Sequence, residues 1–332
     1  MALQTGLHQR VRKTIERHAL CPPGSRVIVG LSGGSDSVAL LFLLRDLADN
    51  GGFTIAGLAH VNHQLRTTAH RDEAFCRELA ERLNLRIVVK TEDVKGYARG
   101  RNLSVEDAAR RIRYDFMEQA ADALGAGHVA VGHTQDDQAE TFLLKLIRGA
   151  GLTGLAGIRP RRGRVIRPLI DVSRAELRDY LARRGERWIE DESNDDLDNP
   201  RNRIRHVVLP ELDCAARGAT RPAIARAASV IREDAEWLDE LATRRCVELI
   251  EETAGGVTIE ASVLMAEPVP LRRRILLRAL RGCADGREVG LDHVEAAMAV
   301  LTGTSAGMDV PGGRVELRRG KLVLIQQKPA PK

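Results

Sequence analysis

The sequence predicts an α/β fold in which a doubly wound, parallel, five-stranded sheet precedes a smaller, mainly helical C-terminal domain. Five apolar, strand-like segments alternate with amphipathic helical segments up to residue 184, a pattern typical of parallel strands joined by crossover helices. Beyond Pro210 the pattern changes to long helical segments. A chain of 332 residues exceeds one average domain. We therefore expect one domain over residues 1–210 and a second over residues 211–332.

The first strand and the turn after it contain the most distinctive local pattern. A buried-strand run over Val27–Leu31 stops at the turn S-G-G-S-D-S, and the apolar helix Val38–Leu44 follows. A glycine turn between a strand and a helix directs backbone N–H groups and the helix N-terminus toward an anion. The residues expected to contact phosphate are Ser32, Gly33, Gly34, Ser35, Asp36 and Ser37.

Asp36 is the unexpected residue in this turn, because a bare carboxylate repels phosphate. A Mg²⁺ ion between the carboxylate and the phosphates would remove the conflict, since that ion prefers oxygen ligands. The alternative is that Asp36 and Ser37 only cap the helix. The turn is not a Walker A loop, because no Gly-Lys-Ser/Thr follows it.

The other strands of the sheet are predicted from apolar runs at residues 53–63, 85–89, 128–132 and 165–170. Helices are predicted at 71–83, from the capping-box-like Ser104 onward, at 139–147 and, capped by Ser173, at 174–184. Ligands bind beyond the carboxyl ends of such strands. Polar groups fall at those ends, in Ser32–Ser37, His60–His63 and His133–Glu140, so we expect one site built from several strand ends.

The C-terminal third is predicted from helical periodicity and one alternating segment. Helices are expected at residues 223–250, 271–281 and 293–301, and a hairpin over 312–326 is expected to turn at Arg319-Gly320. The acidic, Asn-rich stretch 191–202 is expected to form a loop at the domain edge, and residues 328–332 a frayed tail.

Asp136, Asp137 and Glu140 mark the start of the helix after the fourth strand. Their spacing puts carboxylates on neighbouring positions of the first turn. Asp137 and Glu140 together could hold an amine or Mg²⁺. The alternative is that they only complement the helix dipole, as acidic residues at helix N-termini commonly do.

Three histidines and one arginine complete the predicted site. His60, His63 and His133 stand at strand ends, and without an H-E-x-x-H pattern we favour nucleotide contact or acid–base help over zinc. A satisfied core position is the alternative for each. The helix after the third strand carries three arginines, Arg110, Arg111 and Arg113. Some of them must be solvated, and one that reaches the strand ends could neutralise charge in phosphoryl or adenylyl transfer.

Clusters of arginine predict contacts with RNA phosphates, because guanidinium groups pair well with phosphate oxygens. The residues expected to bind RNA are Arg159, Arg161, Arg162, Arg201, Arg203 and Arg205. The alternative is that these arginines form a solubilising surface. For a third cluster, within residues 271–281, RNA binding and a solubilising surface are equally supported.

Composition excludes several other classes. A net charge of +5 suits an anionic partner, whereas 3% aromatic residues argue against a platform that stacks many bases. The five cysteines contain no C-x-x-C pair, which argues against a zinc site, an iron–sulfur cluster or a disulfide scaffold. The N-terminus lacks a signal-peptide core, and no apolar run is long enough to cross a bilayer. We therefore expect a cytoplasmic protein without a membrane partner.

Several motifs in fixed order resemble one family. S-G-G-S-D-S resembles the pyrophosphate-binding loop of the N-type ATP pyrophosphatases, which have an adenine nucleotide alpha hydrolase-like fold. The further motifs that match the tRNA(Ile)-lysidine synthetases are H-V-N-H-Q-L-R (60–66), E-D-A-A-R-R-I-R-Y (106–114), G-H-T-Q-D-D-Q-A-E-T (132–141), R-G-A-G-L-T-G-L-A-G-I (148–158), D-E-S-N (191–194) and R-N-R-I-R (201–205). The chain resembles a short form of this family, without the extra C-terminal domain of longer members.

This resemblance implies a two-step reaction on the CAU anticodon of a tRNA(Ile). ATP activates C2 of the wobble cytidine as an adenylate, and the ε-amine of free L-lysine then displaces AMP. By resemblance, residues 32–37 with His60 and His63 bind ATP, and Asp36 holds Mg²⁺. Arg113 and His133 assist adenylation, and Asp137 and Glu140 bind lysine. A homodimer is left open, as is a tRNA-contacting role of the C-terminal domain.

Two other functions compete with this one. A tRNA thiolase of the same ATP-binding fold would typically use paired cysteines or a cluster, which this sequence lacks. A non-catalytic RNA-binding protein would have no use for an intact phosphate loop beside the pair Asp137 and Glu140.

Overall fold

The computed structural model describes residues 6–64, 69–101, 103–190 and 196–326. The chain divides into two compact units, Met1–Arg232 and Glu233–Lys332. The domain boundary expected after residue 210 remains a prediction. Three predicted features lie outside the described residues: the end of the 60–66 motif, the D-E-S-N motif and the tail 328–332.

The first unit contains six strands, β1 to β6, and ten complete helices, α1 to α10, in its described part. The strands are β1 Arg26–Gly30, β2 Thr54–Asn62, β3 Ile87–Thr91, β4 His128–Ala130, β5 Arg161–Arg162 and β6 Val165–Ile166. The helices are α1 Gly6–Arg17, α2 Ser35–Gly51, α3 Ala69–Arg82, α4 Val94–Arg101, α5 Val105–Ala123, α6 Gln135–Ile147, α7 Leu152–Leu155, α8 Arg174–Arg184, α9 Pro200–Arg203 and α10 Leu209–Ala215. A π-helical turn, Ile204–Val208, joins the last two, and α11, Thr220–Leu249, continues into the second unit.

These strands form one sheet in the order β3-β2-β1-β4-β6-β5. The five predicted strands all form and pair in parallel. The prediction of five strands was one short, because the two-residue β5 adds an antiparallel edge to β6. The fifth strand also ends earlier than expected, at Ile166 rather than at residue 170.

The sheet is covered on both faces, as predicted for a doubly wound fold. Along β1, Val27 and Val29 pack into one apolar cluster with the buried residues of α2, whereas Ile28 packs into another with Phe116 of α5. Alternation of side chains along a strand explains why a continuous apolar run serves both clusters. Because the strands are parallel, the carboxyl ends of β1, β2, β4 and β6 meet at one edge.

The second unit contains a sheet that the sequence analysis largely missed. Its strands are β7 Ile250–Thr253, β8 Gly256–Glu260, β9 Gly307–Val310, β10 Gly313–Arg318 and β11 Lys321–Gln326, and its helices are α12 Ala261–Ala266, α13 Val269–Cys283 and α14 Leu291–Leu301. The predicted hairpin is confirmed as β10–β11, which lies within a five-stranded antiparallel sheet ordered β7-β8-β11-β10-β9. The expectation of a mainly helical domain with a terminal hairpin was incomplete, because the three other strands, β7, β8 and β9, are short and lack a clear period-two pattern.

The third arginine cluster, on α13, has structural partners. Arg272 is buried and donates to the backbone oxygens of Leu264, Met265 and Glu267. Arg274 pairs with Asp239, and Arg273 lies 2.6 Å from a carboxylate oxygen of Glu295. These contacts favour the solubilising or structural interpretation over RNA binding for this cluster. In the part of the chain that the structure describes, no helix is both long and apolar enough for a bilayer.

Candidate active site

The loop predicted to bind phosphate connects β1 to α2. Gly33 adopts a φ of +90°, which favours glycine, and a Cβ atom there would lie 3.2 Å from Ile189 Cδ1. Gly34 is the N-cap of α2 without a side-chain cap, so the first N–H groups of the helix are not occupied by a capping side chain. This arrangement suits an anion at the helix N-terminus.

The serines of the loop divide into structural and accessible ones. Ser37 Oγ accepts from the Ser32 N–H at 3.1 Å and donates to the Gly34 carbonyl at 3.0 Å, so it holds the loop in shape. Ser35 is buried and donates to Asp36 Oδ1 at 3.2 Å. Ser32 is the exposed one, although its Oγ also lies 3.0 Å from Ser37 Oγ and accepts from the Gly34 N–H at 3.4 Å.

A close backbone approach joins this loop to the end of β4. A Cβ atom on Gly132 would lie 3.0 Å from the carbonyl carbon of Asp36 and 3.1 Å from the Ser37 nitrogen. Any larger residue would displace the phosphate loop or the strand end.

The start of α6 is built by Asp137 itself. Its Oδ2 accepts from the backbone N–H of Thr134 at 2.8 Å and from the Thr134 hydroxyl at 2.9 Å, forming a capping box. Its Oδ1 points to two arginines, Arg201 at 3.0 Å and Arg174 at 3.3 Å. One oxygen of this aspartate therefore caps the helix, and the other faces the arginines.

Six charged side chains form what we call the acid–arginine cluster. Its members are Asp36, Asp137, Glu140, Arg174, Arg201 and Arg205. The Arg174 guanidinium contacts all three carboxylates: its Nε donates to Asp36 Oδ2 at 2.9 Å, and its two terminal nitrogens lie 3.3 Å from Asp137 and 3.7 Å from Glu140. The phosphate loop and the acidic helix start therefore meet in one place, as the strand-end argument predicts.

Glu140 is the most enclosed member of the cluster, with no exposed surface. Arg201 Nε and Arg205 Nε each donate to it at 2.6 Å. A buried carboxylate is costly unless it is paired, and this one has three guanidinium neighbours.

The electrostatics differ between the aspartates. Burial alone would raise the pKa of Asp137, but Arg201 and Arg174 outweigh it and hold that pKa at about 2. Burial raises the pKa of Asp36, and Arg174 opposes this only in part. Burial also lowers the pKa of Arg174, but the three carboxylates outweigh that effect and raise it above its ordinary value.

The predicted RNA-binding arginines do not share one environment. Arg201 and Arg205 point into the acid–arginine cluster, whereas Arg203 is exposed. Arg159, Arg161 and Arg162 are exposed on and around β5. Arg201 and Arg205 are four residues apart and share one helical face, whereas Arg203 lies on the other face. A count of arginines cannot separate these two environments.

A second group of cations surrounds His133. Arg167, only 4% exposed, donates through Nε to His133 Nδ1 at 3.1 Å and through a terminal nitrogen to the Tyr114 hydroxyl at 3.1 Å. Burial lowers the pKa of His133 to about 4, with Arg167, Arg201 and Arg113 adding to the effect and Asp137 opposing it. His133 is therefore neutral at physiological pH.

The remaining predicted residues lie at the end of β2. His60 is buried, and its Nδ1 lies 2.8 Å from the carbonyl oxygen of Leu31, at the base of the phosphate loop. Arg113, from α5, places a terminal nitrogen 3.4 Å from His63 Nε2. Arg113 is exposed, yet the protein atoms around it lower its pKa.

Sequence reasoning missed Arg174 and Arg167. Arg167 follows β6 directly, because that strand ends at Ile166, and Arg174 opens α8 behind its Ser173 cap. The predicted strand 165–170 contained Arg167, so the strand-end rule did not select it. In the described residues, no group of three or more histidine, cysteine, aspartate or glutamate side chains could alone hold a metal ion.

Comparisons with known proteins agree on one group. A family model described as the PP-loop domain matches residues 3–212. A tRNA(Ile)-lysidine synthase from Geobacter sulfurreducens is 38% identical over 322 residues, which is 95% of this chain and 66% of that protein. Another, from Symbiobacterium thermophilum, is 37% identical over 341 residues, covering 97% of this chain and 70% of that protein. The chain thus spans about two thirds of the length of these curated relatives.

One solved structure has the same fold. U34-tRNA thiolase NcsA from Methanococcus maripaludis, solved with its iron–sulfur cluster, matches with a TM-score of 0.54 at 19% identity. The match covers 68% of this chain and 78% of that chain. At this identity the likeness concerns the fold alone.

Proposed function

We propose that this chain, which belongs to the tRNA(Ile)-lysidine synthase family of PP-loop proteins, uses ATP to attach L-lysine to C2 of a cytidine in the anticodon of tRNA(Ile). In the first step the cytidine O2 attacks the α-phosphorus of ATP, an O–P bond forms, and pyrophosphate leaves. In the second step the ε-amine of lysine attacks C2 and a C–N bond forms. The C–O bond breaks, AMP leaves with that oxygen, and the attacking nitrogen loses a proton.

The observation that carries this proposal is the bridge made by Arg174. One guanidinium touches Asp36 in the phosphate loop and both Asp137 and Glu140 at the start of α6. A triphosphate on the loop and an amine on the acidic pair would therefore be neighbours. A reaction that joins an ATP-activated group to a cationic amino acid needs this proximity.

The ATP side of the site is the loop from Ser32 to Ser37. Its N–H groups, the α2 N-terminus and the exposed Ser32 hydroxyl favour phosphate. Asp36 fits a shared Mg²⁺ site, since one carboxylate plus substrate phosphates is how that ion is usually held. Bound there, the ion would neutralise phosphate charge.

Adenylation requires no base, because the attacking oxygen of cytidine carries no proton. It does require compensation for the charge that develops on the phosphates. Arg113 supplies positive charge, and neutral His133, which Arg167 contacts, supplies a hydrogen-bond donor.

The amine side of the site is the pair Asp137 and Glu140. In the ligand-free protein three carboxylates face three guanidinium groups, so the acid–arginine cluster is balanced. A lysine ammonium adds one positive charge, and MgATP adds negative charge. We infer that lysine takes the place of Arg201 on these carboxylates, because Arg201 is the most exposed of the three arginines, at 33%.

The competing functions have less support. The cysteines Cys21, Cys76, Cys214, Cys246 and Cys283 are all unpaired, which disfavours a thiolase that relays sulfur between two cysteines. A non-catalytic RNA-binding protein does not account for a buried glutamate held among three arginines beside a phosphate loop.

The direct test is incubation of the purified protein with Mg²⁺, ATP, L-lysine and a tRNA(Ile) transcript bearing a CAU anticodon. Nucleoside mass spectrometry should find cytidine with the mass of lysine added less one water. Omission of lysine should leave tRNA-dependent pyrophosphate release but no new nucleoside. Unmodified cytidine under saturating substrates would reject the proposal, and sulfur incorporation would favour the thiolase.

A Glu140→Gln variant separates the two halves of the site. Loss of a charge-assisted contact of roughly 1.5–3 kcal/mol should raise the KM for lysine by about 10- to 100-fold. Pyrophosphate release should change much less. Glu118→Gln is the matched control, because Glu118 also pairs with an arginine, Arg164, away from the cluster. Equal effects on lysine and ATP would refute a lysine-specific role.

A further inference from the structure

The contact between Arg167 and His133 determines where the imidazole proton lies. A guanidinium nitrogen can only donate, so the His133 Nδ1 that faces Arg167 Nε at 3.1 Å must accept. In a neutral imidazole the proton is then on Nε2. Protonation of Nδ1 would set two N–H groups against each other, which reinforces the neutral state.

The rest of the Arg167 environment keeps this guanidinium in place. Its other donors reach the Tyr114 hydroxyl at 3.1 Å and the Arg159 carbonyl at 2.8 Å, and its own backbone N–H donates to Pro160 at 2.8 Å. Parallel pairing of Ala130 in β4 with Ile166 in β6 brings the two strand ends, and hence His133 and Arg167, side by side.

Arg167 also lacks an anionic partner. Among residues 6–64, 69–101, 103–190 and 196–326, no ion pair joins its guanidinium to a carboxylate; its recorded partners are an imidazole, a phenol and a carbonyl. Burial lowers its pKa, as expected for a cation without a counter-ion. This unpaired guanidinium disfavours a second positive charge on the adjacent ring and so helps to lower the pKa of His133.

The second ring nitrogen of His133 is available to a ligand. No hydrogen bond joins His133 Nε2 to the described residues, and that atom is not fully buried. His133 itself is half-buried and close enough to Arg113 for that charge to lower its pKa. Its Nε2–H therefore remains accessible as a donor.

We propose that Arg167 is a positioning residue that holds His133 in the Nε2–H tautomer, so that His133 acts as a hydrogen-bond donor to a phosphate oxygen and not as a general base. This inference rests on the proposed function, because the phosphate is that of the ATP consumed in adenylation. In that step no proton is transferred, O2 bonds to the α-phosphorus, and the leaving oxygen keeps the electron pair. A fixed hydrogen-bond donor suits this step, because the donor need not reorient as negative charge develops on the phosphate oxygens.

The first test reads the tautomer without substrate. In protein labelled with ¹⁵N-histidine, with His133 assigned by its loss in His133→Asn, the shifts at pH 7 should be those of the Nε2–H form. Arg167→Met should give a mixture of tautomers, and Arg167→Gln, whose amide can still donate, should restore the Nε2–H form. A Nδ1–H form in the unaltered protein would overturn the proposal.

The second test separates positioning from a purely structural role. In Arg167→Met, kcat for tRNA-dependent pyrophosphate release should fall about 10- to 100-fold, with little change in the KM for ATP. Arg167→Gln should recover part of this loss. Adding His133→Ala to Arg167→Met should cost little more than His133→Ala alone, because both changes remove the same donor. Independent, multiplicative losses would contradict the coupling.

Arg164→Met provides the matched control. Arg164 lies in the same segment, but it pairs with Asp122 and Glu118 and donates to the Gly127 carbonyl. It should change neither the tautomer nor kcat. If Arg167→Met does not fold, Arg167→Gln and the unaltered protein still decide the tautomer. Absence of any pyrophosphate release in the unaltered protein would reject the proposed function but leave the tautomer result standing.

Discussion

The two oxygens of Asp137 have separate sets of partners. Oδ2 is used up by Thr134 at the start of α6, so only Oδ1 faces the site. Glu140, one turn later, has both oxygens among arginines. A substrate amine would therefore approach one oxygen of Asp137 and the carboxylate of Glu140. The alternative expected for Asp137, that it only complements the helix dipole, therefore describes its place at the start of α6 but not the two arginines on Oδ1.

Gly132 offers a test of how tightly the loop and the strand end are packed. A Gly132→Ala change would place a methyl group about as close as 3.0 Å to the Asp36 backbone. We expect a stability loss of roughly 1–3 kcal/mol and a drop of at least about tenfold in kcat/KM for ATP. Chemical denaturation and the pyrophosphate assay measure the two effects. Gly127→Ala, before the same strand and with nothing within 4 Å, should be nearly silent; equal losses would contradict this account.

His133 predicts a pH dependence of stability. Its pKa is about 4 in the folded protein against 6.5 for the free side chain, so the unfolded chain binds the proton more readily. The stabilisation by neutral His133 is present above pH 6.5 and is lost as pH falls toward 4, by on the order of 2 kcal/mol. Urea unfolding at pH 7 and pH 4.5 should show a smaller difference in His133→Asn. An unchanged difference would show that other groups cause it.

At the scale of elements, the site is assembled by helix starts. Three helices begin beside it: α2 after the phosphate loop, α6 at the Thr134 capping box and α8 at the Ser173 capping box. The helix predicted over residues 174–184 is confirmed with the same bounds. Strong caps define such boundaries locally, which is why the sequence predicts them well.

A pair of cap variants separates stability from function. Thr134→Ala and Ser104→Ala each remove the side chain that accepts from the N3 backbone, at α6 and α5 respectively. Each should lower the free energy of unfolding by about 1 kcal/mol. Only Thr134→Ala should also reduce lysine incorporation, by about tenfold, because it loosens Asp137. Thermal unfolding measures stability, and the incorporation assay measures activity. An equal loss of activity in the two variants would contradict this prediction.

At the scale of the molecule, arginine side chains differ in their surroundings. Arg159, Arg161 and Arg162 are exposed in the first unit, whereas Arg272, Arg273 and Arg274 of α13 contact backbone oxygens or carboxylates of the second unit. The positive charge available to a nucleic acid is therefore a subset of the total of 51 lysine and arginine residues. Net charge alone is a weak guide to an RNA surface for this reason.

Salt dependence tests which arginines contact tRNA. Changing Arg159, Arg161 and Arg162 to glutamine should reduce the slope of log affinity against log salt by about 2, since each phosphate contact contributes roughly 0.7–0.9. Arg178→Gln with Arg187→Gln is the control, because both side chains are exposed and already paired with glutamates. Filter binding across a salt series measures both. An unaltered slope in the triple variant would remove these residues from the RNA surface.

Local sequence patterns sufficed for much of the fold. Apolar runs located all five parallel strands, and the hairpin of β10 and β11 was predicted with its turn. The remaining strands of the second unit were missed because they are short and obtain their order from neighbours in the sheet. A two-residue strand such as β5 has no periodicity of its own.

The order of residues alone predicts that polar groups gather at one edge of the sheet, because parallel strands present their carboxyl ends at a common edge. It also placed Asp36, Asp137 and Glu140 at helix starts beside that edge. How the charges of these carboxylates are balanced depends on the folded chain, because Arg174, Arg201 and Arg205 come from distant segments. Arg174 lies 138 residues from Asp36 in the chain, and Arg201 lies 64 residues from Asp137. Guanidinium groups are long and flexible, and their partners depend on which carboxylates the folded chain brings within reach, a distance that no local pattern encodes.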